Sequence, residues 1–170
     1  MAWTNGPLVV YHGTIAPYAA GIRRNGIRLA RCLPKADFSR GFYTTRIRAQ
    51  AEIFANWRYH LFHAQHVYNG LVPDPMGAAM VEFSVHLEAL ASLESLAFVQ
   101  PTPDWVEFVN HCRSPSDGHR GLNVFYDVVY GPVSNQRAES ISHHEQLSFH
   151  SDYAISLLSL VDVHIGAPTL

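Results

Sequence analysis

The sequence has 170 residues, of which 48% are hydrophobic and 15% are charged, and its formal net charge is −2. This composition excludes a disordered chain and a charge-rich coiled coil, and the length suits one domain over residues 1–170. No apolar run approaches the roughly 18 residues of a membrane span, and two cysteines cannot form a disulfide framework. We therefore expect a cytoplasmic protein that has no contact with a membrane.

Strands and short helices alternate along the sequence. Apolar and β-branched runs predict strands at residues 8–11, 41–45, 79–86, 124–130, 146–149 and 160–165. Helical spacing with proline or cap residues predicts helices at 19–24, 46–59, 103–112 and 152–158. Loops are expected at 12–14, 67–77 and 114–121, with Gly131-Pro132 stopping the fourth strand. Residues 87–97 fit either a helix or a strand, and the whole pattern, which has no repeat, predicts an α+β fold.

Basic residues are concentrated in the first third of the chain. Nine of the twelve lysines and arginines lie between residues 23 and 58, a span that holds only two acids. Most of these side chains are expected to form an ordinary solvated surface. So uneven a distribution nevertheless predicts that this part of the molecule faces an anion, either a phosphorylated ligand or a nucleic acid.

Three short motifs contain the candidate functional residues: Tyr11-His12-Gly13-Thr14, the Asp-Phe-Ser-Arg-Gly-Phe-Tyr-Thr-Thr segment at 37–45, and Gln-Leu-Ser-Phe at 146–149. Each is weak alone, because a histidine in a turn and an aromatic residue in a strand are common. Their order and spacing resemble the catalytic domain of the ADP-ribosyltransferase superfamily, in the branch of diphtheria toxin and the poly(ADP-ribose) polymerases. The chain is most similar to small bacterial proteins of that fold, and Tyr-Asp-Val-Val-Tyr-Gly-Pro-Val at 126–133 is a further match.

The resemblance implies an ADP-ribosyltransferase-like α+β fold. Two small, mainly antiparallel sheets would pack at an angle, flanked by short helices, with NAD as substrate in the cleft between them. Residues 8–12, 41–45 and 146–149 would meet at that cleft.

The first two motifs would bind the nicotinamide end of NAD. By resemblance, Gly13 lets the nicotinamide carboxamide approach the main chain, because glycine has no Cβ. His12 would hydrogen-bond a ribose hydroxyl, with help from Thr14. Tyr43 is similar to the family's stacking tyrosine, and an aromatic face against a pyridinium ring contributes about 1 kcal/mol. Phe54, or alternatively Gln50, would add a second nicotinamide contact.

Two arginines are candidates for the pyrophosphate. Arg28 and Arg40 lie in the basic segment, so we expect them to neutralise the phosphates of NAD.

The third motif carries a departure from the family pattern. The most active members have a glutamate that fixes the 2′-hydroxyl and offsets the ribosyl cation, whereas this chain has Gln146 there, next to Glu145. Gln146 can hydrogen-bond a hydroxyl, but it is neutral and cannot act as a base. Side chains alternate along a strand, and Leu147 and Phe149 share the parity of Glu145. We therefore favour Gln146 as the third catalytic residue and keep Glu145 as the alternative.

The sequence thus predicts a mono-ADP-ribosyltransferase that uses His12, Tyr43 and Gln146, a bacterial toxin or effector that modifies a macromolecule. Two alternatives remain open: an NAD glycohydrolase with water as the acceptor, and a catalytically inactive NAD- or partner-binding module. The expected partners are NAD, a macromolecular acceptor and a cognate inhibitor protein, with action in the cytoplasm or after delivery into another cell. No metal site is expected, because the histidine spacings match no common metal-binding motif.

Overall fold

A computed structural model describes residues 6–71, 77–114, 118–119 and 124–166. The strands are β1 (Leu8–Ile15), β2 (Phe42–Thr44), β3 (Ala78–Val85), β4 (Ser95–Ala97), β5 (Val128–Ser134), β6 (Ser140–Phe149) and β7 (Ser159–Gly166). The α-helices are α1 (Ala16–Asn25), α2 (Arg48–Phe62), α3 (Leu87–Ala91), α4 (Pro103–Arg113) and α5 (Asp152–Ser156). The predicted loops at 67–77 and 114–121 lie partly outside the described residues.

The strands form two sheets, which confirms the predicted α+β class. The first sheet has the order β1-β3-β7 and is antiparallel, and the second has the order β2-β6-β5-β4, with only the β4–β5 pair parallel. An isolated bridge joins the two sheets: the Tyr11 amide donates to the Thr45 carbonyl at 2.8 Å, and the Thr45 amide donates back at 2.9 Å.

Apolar side chains hold the layers together. The larger core lies between the two sheets and includes Val10, Phe42, Val81, Phe83, Leu147 and Phe149. Helix α2 packs on β1 and β3, on the first sheet. Helix α4 covers the second sheet through Trp105, Phe108, Val109 and Cys112, as its sequence pattern predicts, and Thr102 caps it by accepting a hydrogen bond from the Trp105 amide at 3.4 Å.

The first strand is longer than its apolar run. Residues 12–14 were expected in a tight loop, but they continue β1 and pair with residues 79–81 of β3. That loop prediction is therefore wrong, because main-chain pairing to β3 extends the strand beyond the last apolar side chain. The extension fixes the backbone direction at His12 and Gly13.

A second boundary also moves. Gly131-Pro132 was expected to stop a strand at 124–130, but the strand begins at Val128 and runs through both residues to Ser134. The Tyr130 carbonyl accepts a hydrogen bond from the Phe98 amide, so the backbone polar groups of Tyr130 face the β4 side. Pro132 lies two residues further along the strand, so its nitrogen, which has no hydrogen, faces the same side. Strand β4 ends before that point, and a proline on such an uncovered edge costs no sheet hydrogen bond.

The segment that the sequence left undecided contains both kinds of structure. Residues 87–97 begin with the short helix α3 and end in β4, which pairs in parallel with the start of β5. Among the described residues, no helix combines the length and the apolar character that a membrane crossing requires.

Candidate functional site

A cleft of about 1290 Å³ opens beside the bridge between the two sheets. It is larger than the roughly 300–1,000 Å³ of ordinary small-molecule sites. His12, Gly13 and Thr14 of β1 line this cleft, together with Tyr43 of β2 and Gln146 of β6. Three segments that are far apart in sequence therefore converge on one crevice.

His12 is held as a neutral hydrogen-bond acceptor. Its Nδ1 lies 2.7 Å from the Tyr43 carbonyl oxygen, and because a carbonyl can only accept, Nδ1 carries the hydrogen and Nε2 carries the lone pair. Burial lowers the pKa of His12 to about 4, and the charge of Arg58 adds to the lowering. The Tyr43 carbonyl opposes this effect but does not overcome it. At neutral pH the imidazole can therefore accept a hydrogen bond.

Tyr43 is held through both its backbone and its phenol group. Its backbone carbonyl receives the hydrogen bond from His12, and its phenol oxygen accepts from the Phe38 amide at 2.8 Å and donates to the Ser39 carbonyl at 2.7 Å. Burial raises the pKa of the phenol well above its usual value. Tyr43 is therefore a neutral aromatic wall of the cleft rather than an acid or a base.

Gly13 presents main-chain groups at the free edge of β1. Both the amide and the carbonyl of Tyr11 point toward Thr45 rather than toward β3, and the direction repeats every second residue along a strand. The amide and the carbonyl of Gly13 therefore point the same way, and no described residue bonds to them there. The resemblance assigns the lack of a Cβ at Gly13 to the approach of a ligand, but helix packing also requires it. A Cβ at this position would lie 2.3 Å from the Ala51 carbonyl oxygen of α2. Glycine is needed here so that α2 can pack on β1.

Gln146 is oriented by two acceptors. Its Nε2 donates to Asp37 Oδ2 at 2.7 Å and to the Pro132 carbonyl at 3.0 Å. Its Oε1 has no hydrogen-bond partner among the described residues. The one unpartnered and fully buried side-chain atom of those residues is Trp105 Nε1, so Oε1 is not fully buried. Oε1 is therefore open to the cleft that Gln146 lines.

Glu145 points away from the cleft. Its carboxylate pairs with the Arg46 guanidinium and accepts from the Tyr130 hydroxyl at 2.7 Å. Burial alone would raise the pKa of Glu145, but the hydrogen bonds from Arg46 and Tyr130 outweigh it and lower the pKa. Glu145 is not among the residues that line the cleft.

The cleft carries an excess of positive charge. Arg28, Arg31, Lys35 and Arg58 line it, and none of them has an acidic partner within the described ranges. Arg113 also lines it, but its charge is paired with the one acid of the lining, Asp37. Such a surface attracts an anionic ligand.

A family model described as a protein of unknown function (DUF3990) matches residues 8–160 of the chain. This chain belongs to the DUF3990 family. A comparison with curated proteins finds no match to it. The DUF3990 region runs from the first residue of β1 into β7, so it contains every residue of the cleft described above.

The remaining predicted residues of this DUF3990 chain divide into two groups. Arg28 and Phe54 line the cleft, and Phe54 stands 47% exposed on α2, where a ligand could reach it. Arg40 does not line the cleft; its guanidinium donates to the Ala30 carbonyl at 2.9 Å. Gln50 lines the cleft, but its amide group binds the backbone amide and carbonyl of Glu145 at 3.1 and 2.7 Å, so it ties α2 to β6.

Asp37 and Arg58 are residues of the cleft that sequence reasoning missed. Asp37 opens the second motif, but nothing in the sequence shows that it contacts Gln146, 109 positions away. Arg58 lies at the end of the basic segment, and its neighbour relation to His12 depends on how α2 packs on β1. No group of three potential metal ligands is found in the described part of the chain.

Proposed function

We propose that this protein is an NAD-dependent mono-ADP-ribosyltransferase with an ADP-ribosyltransferase-like fold, a bacterial toxin or effector that modifies a macromolecule. The observation that carries the proposal is the convergence of His12, Tyr43 and Gln146 on one cleft whose lining is cationic. The split between the two sheets at the Tyr11–Thr45 bridge supports the fold assignment.

The nicotinamide end of NAD would bind at the free edge of β1. The amide and carbonyl of Gly13 offer one donor and one acceptor, which complement the carboxamide of nicotinamide. The ring of Tyr43 would lie against the pyridinium, where stacking and cation–π attraction favour the charged form of the ring. That charged ring is present before the reaction and is lost when neutral nicotinamide leaves.

The ribose would bind between two acceptors. Both the Nε2 of His12 and the Oε1 of Gln146 have a lone pair and no partner among the described residues, so each can accept a hydrogen bond from a ribose hydroxyl. When the C1′–N bond breaks, its electron pair leaves with nicotinamide and the ribose acquires oxocarbenium character. A nucleophile of the acceptor then bonds to C1′ and gives up its proton.

The anionic part of NAD would bind the cationic lining. Arg28, Arg31, Lys35 and Arg58 have no acidic partner in the described ranges, and they exceed the two charges of a pyrophosphate. Arg40, which the sequence also suggested, is directed to the Ala30 carbonyl and is not needed for this contact.

A second candidate is an NAD-binding module without catalysis, and the neutral carboxamide at Gln146 favours it. An amide stabilises a developing cation less than a carboxylate does and cannot remove a proton from the acceptor. Transfer therefore requires an acceptor that is already nucleophilic or that brings its own base.

The experiment is to incubate the purified chain with NAD and to follow nicotinamide release with and without cell lysate. Release that depends on lysate supports transfer, release in buffer supports a glycohydrolase, and binding of NAD without release supports the inactive module. Absence of NAD binding would contradict all three. His12→Ala and Tyr43→Ala should abolish binding or release, whereas Glu88→Gln on exposed α3 is the matched control and should behave as wild type.

A further inference from the structure

The side-chain amide of Gln146 has one permitted orientation. Both hydrogens of Nε2 are taken, one by Asp37 Oδ2 and one by the Pro132 carbonyl oxygen. Both partners can only accept, so turning the amide over would place Oε1 against two oxygen atoms. The acceptor end of Gln146 is consequently held toward the cleft.

Asp37 is itself rigidly placed by two other parts of the chain. Its Oδ1 accepts from the Arg113 guanidinium at 2.6 Å, at the end of α4. Its Oδ2 accepts from the backbone amide of Ser134 at 2.9 Å and from the Ser134 hydroxyl at 2.8 Å, at the end of β5. The Asp37 side chain is only 12% exposed, so these bonds are poorly screened by water.

We propose that Asp37 is a positioning residue for the ribose-binding acceptor: it fixes the Gln146 amide so that Oε1 faces the cleft. This inference rests on the proposed function for the identity of the ligand. Arg113 neutralises much of the Asp37 charge, so Asp37 acts mainly through the orientation of the amide rather than through its own field.

The pairing explains why a glutamine suits this position. A glutamate in place of Gln146 would bring a second carboxylate to hydrogen-bond distance of Asp37 and would also face the Pro132 carbonyl. Two carboxylates that close cannot both be ionised without a large penalty. Gln146 is therefore matched to Asp37, and introducing the glutamate of the active ADP-ribosyltransferases should impair the site rather than improve it.

The first test needs no ligand. Thermal unfolding of wild type, Gln146→Glu, Asp37→Asn, the double variant and the control Glu88→Gln is measured at pH 5 and pH 8. In Gln146→Glu the two carboxyl groups share a proton at pH 5 and lose it as pH rises, so its Tm deficit against wild type should be about 5 °C larger at pH 8. Arg113 faces Asp37 as a permanently charged guanidinium, whereas burial raises the pKa of Cys112 to about 11 and that of Tyr43 well above its usual value, so none of these three groups titrates over this range.

The double variant Asp37→Asn/Gln146→Glu supplies the rescue. With an uncharged amide at position 37 there is no second carboxylate beside the one introduced at position 146, so at least half of the pH-dependent deficit of Gln146→Glu should disappear. A deficit that is equal at both pH values, or that is the same in the single and double variants, would overturn the proposed contact whatever the ligand proves to be.

The second test asks whether the orientation serves the reaction. Nicotinamide release at saturating NAD should fall about 10-fold in Asp37→Ala, which removes the acceptor, and the ratio of release at pH 5 to release at pH 8 should be higher in Gln146→Glu than in the control. If wild type neither binds nor cleaves NAD while the Tm pattern holds, the proposed function fails and the Asp37–Gln146 contact stands. If Asp37→Ala keeps full release, the positioning role is overturned.

Discussion

The two sides of β6 use neighbouring residues in opposite ways. On one side the Glu145 carboxylate pairs with Arg46 and Tyr130, outside the cleft, and the Glu145 backbone is braced by Gln50. On the other side Gln146 faces the cleft and is oriented by Asp37. The Glu145 carboxylate holds Arg46 and Tyr130 in place, whereas the Gln146 carboxamide leaves its Oε1 without a partner among the described residues. The direction of a side chain, rather than its charge, separates structural from functional polar residues here.

Acid should affect the cleft side first and with the largest effect. The pKa of His12 is about 4 when folded and about 6.5 when unfolded, so between these values the unfolded chain binds the extra proton. The contribution is fully present above pH 6.5 and is lost as pH falls toward 4, by up to about 3 kcal/mol. Urea unfolding from pH 7 to pH 4 measures the loss, with His12→Gln as the variant that cannot titrate. A histidine NMR titration that places His12 near 6.5 would contradict the buried, neutral imidazole.

Removing the acceptor on the cleft side should affect activity more than stability. Gln146→Ala deletes Oε1, and nicotinamide release should fall about 100-fold, which corresponds to about 2.7 kcal/mol of transition-state stabilisation. Asp37 keeps Arg113 and Ser134 as partners, so the free energy of unfolding should drop by only about 1 kcal/mol. Steady-state release assays together with urea unfolding check both numbers. A variant that loses stability but keeps its release rate would reverse the comparison.

Removing the charge of Glu145 should affect stability more than activity. Glu145→Gln weakens the contacts to Arg46 and Tyr130 and should cost about 1–2 kcal/mol of unfolding free energy, with unchanged release per folded molecule. Because the pKa of Glu145 is lowered by folding, its contribution is present above the unfolded pKa of about 4.3 and disappears as pH falls through the lower folded value. The variant and wild type should therefore converge in acid, and Arg48→Ala, which breaks an exposed pair, should leave the unfolding midpoint unchanged.

The brace from α2 should give the smallest effect. Gln50→Ala leaves the Glu145 amide and carbonyl without their side-chain partner and should cost about 1 kcal/mol. Release should change less than in Gln146→Ala, since the amide group of Gln50 is directed to the backbone of Glu145. Chemical unfolding and release measured on the same preparation decide this. A larger loss of release than in Gln146→Ala would move Gln50 from the structural side to the functional side.

Local patterns predicted the elements well where the relevant bonds are local. Helix α4 follows from Pro103 and the spacing of its buried residues, and residues 146–149 of β6 follow from their apolar alternation, whereas residues 140–145 of that strand were not predicted. Boundaries failed where the partner is distant: β1 continues to Ile15 because β3 lies beside it, and Pro132 stays in β5 because β4 has ended. Residue propensities carry no information about which strand lies beside another.

The site was predictable in its motifs and not in its contacts. The motifs placed His12, Tyr43 and Gln146 in one cleft, and strand parity put Gln146 rather than Glu145 on the cleft side. The partners were not predictable, because the bonds from Gln146 and from Arg113 to Asp37 span 109 and 76 positions of sequence. The absent Cβ at position 13 was likewise assigned to a ligand when α2 occupies that space.

The junction between the two sheets has a consequence for how such proteins can diverge. Both hydrogen bonds between Tyr11 and Thr45 are made by the main chain, so they belong to neither side chain. Any residue other than proline, which lacks the N–H, can make them at either position. Two proteins can therefore share this junction, and the cleft beside it, with different residues at both of the positions that form it.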